Sequence, residues 1–133
     1  MFDITDDIKE VLKYTDLVLL DIKHIDSKKC KNLVGFTNEK ELAFAKYLSD
    51  NNIPVWIRQV IIPGITDEEE DLIKLKKFID SLKNVQRVEV IPYHELGKYK
   101  WEELGLKYPL ENINPPSFKE IKRVENILEI KKE

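Results

Sequence analysis

Cysteine occurs once in these 133 residues, as Cys30, which excludes a disulfide framework. It lies among lysines with no neighbouring His and reads as an incidental thiol. Glycine occurs four times, never as a Gly-rich phosphate loop. There is no excess of basic charge: 22 Lys and Arg face 25 Asp and Glu, a net charge of -3, so no nucleic-acid footprint is expected. No apolar run has the length of a transmembrane helix, so no membrane partner is expected. Met1-Phe2-Asp3-Ile4 leads into acidic residues rather than an apolar leader, and a cytoplasmic protein is expected. No Ser or Cys nucleophile stands beside His94, and no carboxylates or histidines recur at metal-ligand spacing.

What is present suits one α/β domain. The chain is 42% hydrophobic and 35% charged, enough for a core under a well-solvated exterior. Residues 1–133 are expected to form a single segment. Its organising stretch is Asp16-Leu17-Val18-Leu19-Leu20-Asp21-Ile22-Lys23-His24. The unbroken apolar run predicts a strand over Leu17–Ile22 buried on both faces, as in a parallel sheet covered by helices. Side chains two apart share a face, so Leu19, Asp21 and Lys23 point one way. They reach the strand's C-terminal end, where α/β sheets and barrels carry their sites.

The remaining chain alternates. Ile8, Val11 and Leu12 predict a helix over Asp6–Tyr14. A loop is predicted from His24 to Thr37, with His24 a loop residue rather than a catalyst. Asn38 and Glu41 read as a capping box for a helix over Glu39–Asp50, with Leu42, Phe44, Ala45 and Leu48 facing the core. Ile53–Ile62 predicts the second strand, in which Trp56, Arg58 and Val60 share a face. Arg58 is its only charge and needs an acidic partner or a polar cavity. After Pro63-Gly64, Thr66 and Glu69 read as a second capping box. The acidic run Asp67–Glu70 is therefore a helix start rather than a metal site. Leu72, Leu75, Phe78, Ile79 and Leu82 form that helix's apolar stripe. Val88–Pro92 predicts the third strand and leads into Tyr93-His94. An aromatic-rich loop, Lys98–Asn114, ends at Pro115-Pro116. Ser117 and Glu120 form a third capping box for a last helix with Phe118, Ile121, Val124 and Leu128 inward.

The strands recur at near-equal spacing around Leu19, Trp56 and Val90. This predicts three parallel βα units joined by right-handed crossovers. Three strands cannot close a barrel and leave unpaired edges, so the chain reads as half of something larger, prone to self-association. On that reading Asp21, Lys23, Arg58 and His94 line one pocket. Two fixed cations, an anion and an imidazole suit a zwitterionic or carboxylate ligand.

Several blocks are more specific: 15–23 (Thr15 to Lys23), Val55-Trp56-Ile57-Arg58 with Pro63-Gly64, Pro92-Tyr93-His94-Glu95-Leu96-Gly97-Lys98-Tyr99-Lys100-Trp101, and Pro115-Pro116. In order and spacing they resemble the pyruvate formate-lyase activating enzymes, glycyl-radical-activating members of the radical S-adenosylmethionine superfamily. The resemblance implies an α/β fold, the C-terminal half of a partial six-stranded (β/α) TIM-like barrel. It implies S-adenosylmethionine as cofactor, cleaved at a [4Fe-4S] cluster, and a glycyl-radical enzyme such as pyruvate formate-lyase as partner. It places Asp21, Lys23, Arg58 and His94 at the cofactor, and Asp21 with the Leu19 carbonyl at a monovalent cation. It places Glu95, Gly97, Lys98, Tyr99 and Trp101 beside the partner's glycine loop.

One departure is large. The family's CxxxCxxC motif and its Gly-Gly-Glu segment are not in this chain, and one thiol cannot hold the cluster. The chain alone is therefore expected to be inactive. A non-catalytic half-barrel that binds a ligand or a protein is the rival reading. A phosphate-binding half-barrel is a third, weakened by the missing Gly-rich loop.

Overall fold

A computed structural model of the chain describes residues 4–93 and 115–130. The elements run α1 (Asp6–Leu12), β1 (Val18–Asp21), α2 (Ser27–Val34), α3 (Glu39–Asp50), β2 (Val55–Ile61), α4 (Glu69–Asp80), β3 (Val85–Pro92) and α5 (Phe118–Ile127). The strands form one parallel sheet in the order β1-β2-β3, as the alternation predicts, and it does not close. β1 is shorter than predicted, and β3 begins three residues earlier, at Val85.

One face of the sheet carries the core. Leu20, Ile22, Val55, Ile57 and Ile61 pack there with Phe44, Ala45 and Leu48 of α3, Leu72, Leu75 and Ile79 of α4, and Val124 of α5. The other face is open. Leu20 is 5% exposed but its neighbour Leu19 is 51% exposed. β2 alternates likewise, with Val55, Ile57, Gln59 and Ile61 buried and Trp56, Arg58 and Val60 half-buried. The expectation that β1 is buried on both faces is therefore corrected. On this face Val60 packs against the cluster of Cys30, Leu33 and Val34 of α2 with Ile62 and Tyr93, whereas Leu19 is left exposed, and apolar composition alone does not report that.

The local signals have mixed outcomes. In α5 the Ser117 hydroxyl accepts from the Glu120 amide while Glu120 reaches back to the Ser117 amide, a complete capping box. The other two boxes do not form. Asn38 gives its amide to the carbonyls of His24 (3.0 Å) and Ile25 (2.7 Å), and Glu41 accepts from the Lys23 amide. Thr66 bridges the Ile62 amide and the Val60 carbonyl, and α4 starts at Glu69 instead. Asp67, from the acidic run, closes the Pro63-Gly64 turn by accepting from the Gly64 amide at 2.7 Å; Gly64 supplies the required φ of 79°. The predicted loop from His24 to Thr37 contains α2, capped by Asp26 and ended by Gly35 at φ 95°. Phe118, predicted to face inward, is exposed, as is Val11 of α1.

Cys30 is buried with Leu33, Val34, Ile62 and Tyr93. Burial pushes its thiol up to about 11, so it is an apolar packing group rather than a surface thiol.

Candidate functional site

Strand register builds the site. Asp21 of β1, Arg58 of β2 and Glu89 of β3 lie side by side across the sheet. Period-two alternation puts all three on the open face. Arg58 Nε is 3.4 Å from Asp21 Oδ1 and 3.8 Å from Glu89 Oε2, so the guanidinium sits between two carboxylates. Lys23, two residues beyond Asp21, brings its ammonium to 3.7 Å from Asp21 Oδ2. Glu89 is also bound by Arg87 at 3.1 Å, and Arg87 stands over the Trp56 ring at 5.3 Å.

The row is charged but under-bonded. Asp21 Oδ1 and Arg58 Nε are buried atoms without a hydrogen-bond partner among the described residues. Their mutual approach lacks hydrogen-bond geometry, and such atoms carry a desolvation cost that a polar ligand would relieve. The two side chains remain 31% exposed, so the row opens to solvent. Cations flanked by carboxylates, with unused bonding capacity, suit a zwitterion or a carboxylate accompanied by a cation.

The structure thus brings Asp21, Lys23 and Arg58 together and puts Leu19 on the same face. His94, Glu95, Gly97, Lys98, Tyr99 and Trp101 lie outside the described residues. Sequence reading missed Glu89 and Arg87; strand alternation from Val88 would have put both on the Arg58 face. Among the described residues no group of three or more His, Cys, Asp or Glu is arranged to hold a metal ion.

Below the row, a loop is pinned by buried polar groups. His24, 1% exposed, places Nε2 at 2.8 Å from the Ile65 carbonyl, while its Nδ1 accepts from the Asp26 amide at 3.0 Å. The ring thus ties the β1–α2 loop to the β2–α4 turn, with Asp71 Oδ2 at 3.7 Å from the same Nε2. Nearby, Lys29 binds Asp71 at 2.6 Å and Glu68 at 3.1 Å, which holds its ammonium charged well above the usual range. Desolvation pushes the buried Glu41 carboxyl up, opposed by its hydrogen bond from the Lys23 amide.

No family model matches the chain. The pyruvate formate-lyase-activating enzyme of Staphylococcus epidermidis is 55% identical over 113 residues, covering 85% of this chain and 45% of that protein. The enzyme of the same name from Streptococcus mutans is 48% identical over 120 residues, covering 90% of this chain and 46% of its own length. The chain thus spans under half the length of these relatives. Among solved structures, a domain of a pyruvate-formate lyase-activating enzyme from Bacteroides vulgatus superposes with TM-score 0.76 over 94% of this chain and 69% of its own, at 21% identity. A radical SAM methyltransferase from Sphaerobacter thermophilus gives TM-score 0.59 at 18% identity, over 84% of this chain and 30% of its own. These two likenesses concern the fold.

Proposed function

We infer that this chain, homologous over most of its length to the pyruvate formate-lyase activating enzymes, carries the S-adenosylmethionine-facing part of such an activase. The observation behind this reading is the row Asp21–Arg58–Glu89, in which Asp21 ends β1 with Lys23 just beyond it and Arg58 and Glu89 stand mid-strand beside it, with Asp21 Oδ1 and Arg58 Nε unsatisfied. The donor set fits the cofactor's aminoacyl end. Lys23 and Arg58 would bind its carboxylate. Asp21, with the Leu19 carbonyl, would hold a monovalent cation. His94 would complete the pocket, and Glu95, Gly97, Lys98, Tyr99 and Trp101 would border the partner, a glycyl-radical enzyme such as pyruvate formate-lyase. Residues 1–133 act in this reading as a single segment.

The [4Fe-4S] cluster does not fit this chain. Its one cysteine is buried with its thiol held neutral, and a cluster takes several thiolates. Where an activase holds that cluster, it supplies the electron that cleaves S-adenosylmethionine. The residues here bind and orient, and by themselves generate no radical.

The test joins this chain to the remaining portion of the Staphylococcus epidermidis relative and follows S-adenosylmethionine binding and the glycyl radical by electron paramagnetic resonance. Radical formation on pyruvate formate-lyase supports the reading. A joined protein that carries a cluster but binds no S-adenosylmethionine leaves the rival, a half-barrel that binds another ligand or a protein.

A further inference from the structure

The open face needs Lys23 in place, yet Lys23 lies beyond the end of β1, where the ladder no longer fixes the backbone. Four buried polar side chains take over that task. The Lys23 amide donates to Glu41 Oε2 at 3.4 Å, and its carbonyl accepts from Gln59 Nε2 at 3.3 Å. Asn38 donates to the next two carbonyls, of His24 and Ile25. The His24 ring reaches across to the Ile65 carbonyl. Glu41, Gln59, Asn38 and His24 come from α3, β2, the α3 start and the loop itself, and each is at most 3% exposed. Burying polar groups is costly unless they are bonded, and every one of these is spent on residues 23–25 or their immediate anchor.

We propose that Glu41 and Gln59 are positioning residues, which grip the Lys23 peptide from the core side so that its ammonium stands beside Asp21 on the open face. This rests on the ligand reading above for its functional consequence, but the grip itself is decided without a ligand. Glu41 lies within electrostatic reach of Lys23 and Asp21, but its hydrogen bond is to the backbone behind the open face. Gln59 points away from it, on the same side of β2 as Ile57 and Ile61, and works through the backbone. The assignment also accounts for the failure of Glu41 to complete a capping box and for the choice of Gln at a fully buried strand position. The position is not simply polar: it donates to the Lys23 and Val60 carbonyls together.

The experiment uses the whole chain, labelled with nitrogen-15. Glu41→Met and Gln59→Met keep length and volume but remove the acceptor and the donor, whereas Glu41→Gln keeps an acceptor oxygen. Amide hydrogen exchange at Lys23 in Glu41→Met is expected to run about tenfold faster than in the parent, the weight of one such bond, with α4 amides unchanged. Glu41→Gln is expected to restore protection. Titration with S-adenosylmethionine is expected to show several-fold weaker binding for both Met variants and parental affinity for Glu41→Gln. Parental exchange at Lys23 in both Met variants overturns the proposal, as does an affinity loss in Glu41→Gln equal to that in Glu41→Met. If Glu41→Met does not fold, Gln59→Met against the parent decides the same question through order at residues 23–25. A parent chain that binds no S-adenosylmethionine refutes the ligand reading, and the exchange data still decide the grip.

Discussion

At the residue scale, the account makes Asp21 a binding group and Cys30 a packing group. Asp21→Asn keeps the side chain's size and removes the charge facing Lys23 and Arg58. A charge-assisted contact contributes roughly 1.5–3 kcal/mol, so S-adenosylmethionine affinity in the joined enzyme is expected to fall about ten- to a hundredfold. The melting temperature should hardly move, because the residue is partly solvated and exposed pairs contribute under about 1 kcal/mol. A drop in melting temperature with unchanged affinity would make Asp21 a strand-end ion-pair residue. For Cys30, burial raises the thiol from 9.0 to about 11, so the folded state favours the neutral form. The stability this represents is fully present below about 9 and is lost as pH rises through about 11, where the unfolded chain is already ionised. Urea titrations across that window should show a decline that Cys30→Ala lacks. The folded chain should also leave a thiol reagent unreacted at pH 8 until denaturant is added.

At the element scale, what could be read from the sequence depended on how local the signal was. The three strands, α3 and the Ser117–Glu120 box were legible because alternation, apolar stripes and caps act within a few residues. The pairing of Asp21 with Lys23 was legible too, since strand parity puts them on one face; that Arg58 joins them is set by the β1–β2 register. The Asn38 and Thr66 caps were not, because nothing local tells that loop carbonyls and turn amides compete for those side chains. Helix α2 was missed although Cys30, Leu33 and Val34 sit at helical spacing between an Asp26 cap and Gly35. Four charged or amide residues in so short a segment masked the stripe. The two kinds of cap should differ on mutation. Ser117→Ala removes an exposed cap and should cost about 1 kcal/mol. Asn38→Ala strips two buried carbonyls of their donor, and at about 1–3 kcal/mol for each unsatisfied group it should cost clearly more. Chemical denaturation of both variants checks the order; equal losses would mean that the Asn38 bonds are replaced by water.

At the scale of the whole molecule, the two faces of the sheet differ among the described residues. Helices cover the Leu20–Ile57 face, while on the other face Leu19 and Arg87 are exposed and Val60 packs against the cluster around Cys30. Among the described residues β1 pairs on one side only, with Leu17 and Leu19 exposed beside that edge. A flat apolar edge of this kind recruits another chain. Sedimentation at micromolar concentration is expected to show self-association that Leu19→Lys reduces; a monomer for the parent would mean that the edge is protected. The charged row on the same face carries two unsatisfied polar atoms, Asp21 Oδ1 and Arg58 Nε, which the proposed ligand would engage. The measurement that tests this most directly is a titration of the nitrogen-15-labelled chain with S-adenosylmethionine, followed residue by residue. The account predicts saturable shifts centred on Asp21, Lys23, Arg58 and Glu89, weakened in Asp21→Asn. Shifts confined to the groove between β3, α4 and α5, lined by Val88, Val90 and Leu128, or no shifts at millimolar ligand, would contradict it.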